Sequence, residues 1–234
     1  MLNLKKIVVI AIVATFLAAI PLTIAVSYGE LDSVTYTLEI DTRQAKPPGT
    51  PGAKIKPSPG YKLTGVRWKT LPLTLNINPG SLDADFVTTA IEDSAEEWDY
   101  YTGAELVTTY VVDTSVTLDG PTVDGVNELV FADIADGNII AQCTYWYTRR
   151  TKEIVDFEIV FNTKYVWGDA SSDVTKMDLQ NIATHELGHG FGLADLYDKQ
   201  WIELTMYGYA NYGETNKRSL EAGDIAGIQA IYGT

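Results

Sequence analysis

The chain contains two histidines, and both fall in one stretch, Ala183 to Asp195, which reads ATHELGHGFGLAD. Its centre is H-E-x-x-H. Two residues four apart on a helix share a face, one turn from each other. That spacing lets the His185 and His189 imidazoles reach one zinc ion at about 2.0–2.1 Å. Glu186, beside the first ligand, is placed to take a proton from water activated at the metal. Chance placement of the only two histidines four apart, with Glu after the first, is roughly one in a thousand or rarer on composition.

A hydrolytic zinc ion takes at least a third protein ligand and keeps one position open. No histidine remains to supply it. Gly192 can adopt positive φ, end the helix and send the chain back across the metal. Asp195 then faces the two histidines, and a carboxylate oxygen is a sound zinc ligand. Asp198 is a nearby competitor. Cys143, the sole cysteine, is another, as the third ligand of a deformylase-like hydrolase. Its surroundings, AQCTYW, lack the glycine before and the Leu-Ser after that such sites show, and a small apolar strand residue is the plainer reading. A non-catalytic reading also exists, an exported protein that keeps zinc for stability and binds a partner. Glu186 weighs against it, since a structural zinc site is usually closed by four ligands and needs no base.

The site helix is predicted from Val174 to His189, capped by Asp173 and ended by Gly190 and Gly192. An earlier helix runs from a cap at Ser81 or Asp83 to Tyr101, with Phe86, Ala90, Ile91, Ser94, Ala95 and Trp98 on one face and Gly103 closing it. A last helix covers Leu220 to Ile231. Alternating or β-branched runs predict strands at 34–40, 71–78, 105–112, 128–131, 139–148 and 154–161, the last two as a hairpin. Mixed strands and helices make the class α+β, or a layered α/β sheet.

Several stretches together resemble the matrixin form of the metzincin zinc peptidases. HELGHGFGLAD resembles the family zinc motif, with Asp195 where most members carry a third histidine, as in snapalysin-type secreted proteases. Thr205-Met206-Tyr207-Gly208 resembles the Met-turn, whose methionine underlies the zinc without binding it. Asp224 to Gly233, DIAGIQAIYG, resembles the C-terminal matrixin helix, and Val155 to Asn162, VDFEIVFN, the strand before the zinc helix. The resemblance spans about Trp68 to Gly233. It implies a metzincin-like catalytic domain: a twisted mixed sheet, three main helices and a central zinc helix. It also implies one catalytic Zn2+ held by His185, His189 and Asp195, and a protein or peptide substrate extended along an edge strand within Asn138 to Thr148. Tyr207 and Tyr209 would wall the pocket beside the metal, or serve as plain packing. Two family features do not carry over: a second zinc held by further histidines, and latency through a leader cysteine. A Ca2+ site among Asp119, Asp124, Asp133 and Asp136 is a further expectation.

Acidic residues outnumber basic ones, 31 to 17, which excludes a nucleic-acid partner, since phosphate binding needs a basic face. Lys5 and Lys6 precede an uncharged apolar run, Ile7 to Val26, the layout of a secretory signal, with small residues favouring cleavage after Ser27. The run is also long enough to span a bilayer, so retention as a membrane anchor is the alternative. Either way the remainder is exported. The expected organisation is a signal or anchor over 1–27, a leader, linker or pro-segment over 28–66, and a monomeric peptidase domain over 67–234. Within the leader, AKPPGTPGAKIKPSPG is too rich in proline and glycine for a helix or central strand.

Overall fold

The computed structural model describes residues 31–42, 60–116 and 123–234. The apolar segment from Ile7 to Val26, the stretch from Ala45 to Pro59 and Asp119 lie outside the described residues. Among the described residues there are nine strands: β1 (Leu31–Ile40), β2 (Leu73–Ile77), β3 (Val107–Val112), β4 (Asn127–Ala132), β5 (Ile139–Thr148), β6 (Glu153–Asn162), β7 (Trp167–Gly168), β8 (Met177–Asp178) and β9 (Tyr209–Ala210). Three α-helices accompany them: α1 (Ala84–Asp99), α2 (Leu179–Gly190) and α3 (Ala222–Tyr232). The architecture is α+β. One mixed seven-stranded sheet has the order β3-β2-β4-β6-β5-β1-β9, and β7 pairs with β8 alone.

Strands β2, β3, β4 and β6 are parallel neighbours, whereas β5 and β6 form the antiparallel hairpin that their sequence predicts. Lys152 closes that hairpin with a φ of 56°. β6 is buried along nearly its whole length, as expected of a strand covered on both faces. Helix α1 starts where Asp83 accepts a hydrogen bond from the Phe86 amide, and Val87, Ala90, Ile91, Ser94, Ala95 and Trp98 bury its inner face. Only Gln180 of α2 escapes full burial. A helix enclosed all round is a core element, and α2 lies at the centre of the molecule. Two tryptophans fix it: Trp98 Nε1 donates to the Thr184 carbonyl and Trp68 Nε1 to that of Gly190, each at 2.9 Å.

Helix α2 begins later than predicted, at Leu179 with Asp178 as its cap, not at Val174 with Asp173. Asp173 caps a local turn instead, accepting from the Thr175 amide and hydroxyl. The Met177 amide donates to the Val166 carbonyl, which draws residues 177–178 into β8. Both aspartates suit a cap, and only the β7 partner decides between them. Arg218 pairs with Asp178 and Asp169, holding the true cap.

β5 was expected to be a sheet edge, and it is not. β1 covers it in antiparallel register from Leu31↔Thr148 to Glu39↔Ile139. β1 also pairs in parallel with β9 through Glu39↔Tyr209 and Ile40↔Ala210. The strand predicted at 34–40 is therefore real and longer, and it belongs to the main sheet. A strand's hydrogen-bonding partner far along the chain is set by tertiary placement, which local alternation does not encode.

Candidate metal centre

His185 and His189 project from the same face of α2, with their Nε2 atoms 3.1 Å apart. Each ring is oriented by its other nitrogen. His185 Nδ1 lies 2.7 Å from the Thr205 carbonyl and His189 Nδ1 lies 3.0 Å from the Leu193 carbonyl. A carbonyl only accepts, so both Nδ1 atoms donate and both Nε2 lone pairs face one point. Gly192 adopts the expected positive φ, 103°, and the chain reverses there. Asp195 Oδ1 comes to 3.3 Å from each Nε2 atom. A side chain at Gly192 would lie 2.5 Å from the Val66 carbonyl oxygen, so the turn admits only glycine.

The residues fit a zinc ion. Among the described residues, His185, His189 and Asp195 form the group whose ligand atoms all lie within 4.8 Å of one another. Asp195 Oδ1 is buried without a hydrogen-bond partner, and two imidazoles with one carboxylate are the donor chemistry zinc accepts. Asp195 Oδ2 accepts from the Tyr197 hydroxyl at 3.0 Å, which turns Oδ1 toward the histidines. Burial would raise the Asp195 carboxyl, but His189 first and then the other imidazole contacts hold it well below the usual carboxylate range. Burial lowers His185. Cys143 is not part of the converging group. It is fully buried in β5, opposite Tyr36 and Ile159, as a small apolar strand residue would be. Asp198 caps a 3-10 turn, accepting from the Gln200 amide.

Glu186 is fully buried, and neither of its carboxylate oxygens has a hydrogen-bond partner. Burial pushes its carboxyl up to about 8, against the lowering pull of His189. Buried polar atoms are almost always bonded, so a carboxylate left open beside a ligand cluster is kept for another purpose. Met206 is buried directly beneath α2, where its sulfur occupies the space a side chain at Gly188 would need. Asp224 holds the Met-turn, with its carboxylate accepting from the Thr205 amide at 2.9 Å and the Met206 amide at 3.1 Å. A chain of bonds thus runs from α3 through Thr205 to His185. Sequence reading placed Asp224 in the C-terminal helix without seeing this role, and it missed Tyr197. Asp224 sits at the third position of α3 with Glu221 before it, and that capping box is the only local signal.

Tyr207 is buried, and Tyr209 lies on β9 with its ring 5.7 Å from that of Tyr207. The calcium expectation finds no support. Among the described residues Asp133 pairs with Lys164, while Asp124 and Asp136 each accept from a nearby backbone amide.

A deep helix presenting two histidines, a reversed aspartate and a methionine floor defines a metallopeptidase of the metzincin kind. The matrixin family model, peptidase family M10, matches residues 68–233, and the chain belongs to that family. Matrixins are zinc metalloproteases and are typically extracellular. No curated protein matches the chain. No helix among the described residues is long and apolar enough to cross a membrane.

Proposed function

We propose that this protein is a secreted endopeptidase in which His185, His189 and Asp195 hold one zinc ion and Glu186 is the catalytic base. The observation that carries the reading is the pairing of a convergent two-histidine, one-aspartate cluster with a buried, unbonded glutamate on the same helix. When bound, zinc supplies a Lewis acid that polarises the scissile carbonyl and acidifies water. Glu186 takes the proton of the attacking water and hands it to the departing amine, so both proton movements pass through one carboxylate. The two imidazoles are fixed by backbone carbonyls before any substrate arrives, so the site needs little reorganisation during reaction. A glutamate with only a structural role would have bonded partners, which disfavours a zinc-stabilised binding protein.

The substrate is a polypeptide, and the residues after Met206 wall its pocket beside the metal. Export follows from the N-terminal signal, with a mature terminus near Tyr28, or with the segment kept as an anchor. The decisive comparison is casein digestion by the parent and by Glu186→Gln, with zinc content measured on both. The variant should keep its zinc and lose on the order of 100-fold or more in turnover, since an amide accepts no proton. Undiminished digestion by the variant would remove Glu186 from the mechanism. Terminal mass analysis of exported protein checks the location, and an intact Met1 on soluble cytoplasmic protein would refute it.

A further inference from the structure

The chain carries a net charge of −14, yet its cations are not spread over the surface. Of the eleven lysines and arginines among the described residues, six lie in two short segments, 62–69 and 149–152. All six are exposed: Lys62, Arg67, Lys69, Arg149, Arg150 and Lys152. No acidic residue falls within either segment, and Glu153 borders the second. Folding joins the two. The Arg67 amide donates to the Lys152 carbonyl at 3.1 Å, and the Ile154 amide to the Arg67 carbonyl at 2.9 Å. A cavity of about 340 Å³ lies at the junction, lined by Leu63, Val66 and Ile231 together with Arg67, Lys69 and Lys152. Leu63 is itself exposed. Arg149 is answered by Asp32 at 2.7 Å, while among the described residues the other five cations have no ion pair. Like charges gathered on one face repel each other and draw in an anionic partner.

The topology says which anion lies in reach. Leu31, the first residue of β1, pairs with Thr148, so the chain enters the fold beside Arg149 and Arg150. Upstream lies the uncharged apolar run from Ile7 to Val26. The five residue steps from Val26 to Leu31 cover at most about 18 Å when fully extended. A bilayer that holds the run is therefore close to the basic face. Cations beside a membrane-held segment are attracted to anionic lipid over a Debye length, about 8–10 Å at ordinary salt. An exposed leucine among them adds apolar contact at the interface.

We propose that the face formed by residues 62–69 and the β5–β6 turn docks on an anionic lipid surface, with Leu63 and the five unpaired cations against the headgroups. The chemistry recognised is lipid phosphate at a bilayer surface. The acidic remainder of the molecule is repelled by the same surface, so docking fixes one orientation. Neither zinc nor hydrolysis is needed for it.

The experiment assembles the full chain with lipid nanodiscs, made of phosphatidylcholine alone or with phosphatidylglycerol added. Both kinds carry the same density of a lipid with a nitroxide on its headgroup. Cys143 is fully buried, so a single added cysteine takes a fluorescent label cleanly. Leu63→Cys places the label on the basic face. Val174→Cys places it on an exposed residue before the start of α2, the end opposite to Gly190, where Trp68 is bonded. The label at 63 should be quenched on the order of fivefold more on the anionic discs than on the neutral ones, and the label at 174 on neither. High salt should remove the difference in the parent chain. Lys69→Glu with Arg150→Glu should remove it at low salt, with melting temperature and zinc content kept. Equal quenching at 63 on both lipids would overturn the proposal. So would quenching that survives high salt or charge reversal, or equal quenching at 174. A label at 63 that ignores anionic lipid but responds to polyglutamate would give the face to an acidic protein partner and overturn the membrane assignment.

Discussion

The third metal ligand is where single residues carry the most weight. Asp195 and Cys143 are both buried, both acidic in principle, and near the same helix in space. Geometry separates them: Asp195 Oδ1 sits 3.3 Å from both Nε2 atoms, whereas the Cys143 sulfur is outside the cluster and burial pushes its thiol well above its ordinary range. A thiol disfavoured from ionising by burial and lying outside the converging ligand atoms is the weaker candidate. Asp195→Ala should therefore lower zinc affinity by more than about 100-fold, beyond what loss of an outer partner costs. Asp195→His should restore part of it, and Cys143→Ala should cost ~1 kcal/mol of packing and no metal. Zinc content and thermal unfolding of the three proteins decide the matter; metal lost with the cysteine and kept without the aspartate would reverse the assignment. His185, Glu186, His189, Gly192 and Asp195 were all legible because they sit within one helix and its turn. Tyr197 and Asp224 were not, because each acts through a hydrogen bond whose partner is fixed only by folding.

At the scale of elements, the site depends on how closely α2 is pressed against α1 and the Met-turn. A side chain at Gly188 would meet the Met206 sulfur and stand 2.8 Å from Trp98 Cζ2. The methionine can shift. The indole cannot, since Trp98 is fully buried and bonded to the Thr184 carbonyl. Gly188→Ala should thus destabilise the protein by roughly 1–3 kcal/mol despite alanine's better helix propensity. A melting temperature equal to the parent's would show that the helix has room that the geometry denies. The link from α3 is testable in the same way. Asp224→Ala removes the acceptor for both Met-turn amides, loosening Thr205 and with it His185, and should weaken zinc binding about 10–100-fold without touching the metal. An unchanged zinc dissociation constant in a folded variant would break that chain of inference. Sequence periodicity found all three helices and the β5–β6 hairpin, since each rests on local spacing. It misplaced the start of α2 because two capping aspartates compete five residues apart, and the deciding bond comes from the Val166 carbonyl, just before β7.

The whole molecule carries a net charge of −14, yet it buries carboxyls that have no cation beside them. Asp156 on β6 is the clearest. Its Oδ2 accepts from the Asp124 and Gly125 amides at 3.0 Å each, and its Oδ1 is buried with no partner. Burial pushes its carboxyl up to about 7, the two amides oppose the rise, and Asp124 and Glu128 add to it. Glu158, two residues along the same strand, is likewise pushed up to about 7 by burial and then by Glu128 and Asp156. Such groups hold their protons more tightly folded than unfolded. Their stabilisation is therefore complete below an ordinary carboxylate pKa of about 4 and is lost as pH rises through about 7. Asp156→Asn keeps an oxygen for the two amides and never ionises. Near pH 5 its melting temperature should lie close to the parent's. By pH 8 the parent carries a buried, self-repelling charge, and the variant should melt a few degrees higher. Comparing the two proteins at equal pH and equal zinc cancels the acid sensitivity of the histidine ligands. A melting difference that stayed constant from pH 5 to 8 would mean that Asp156 titrates normally, and that the interior beneath Asp124 and Gly125 admits water.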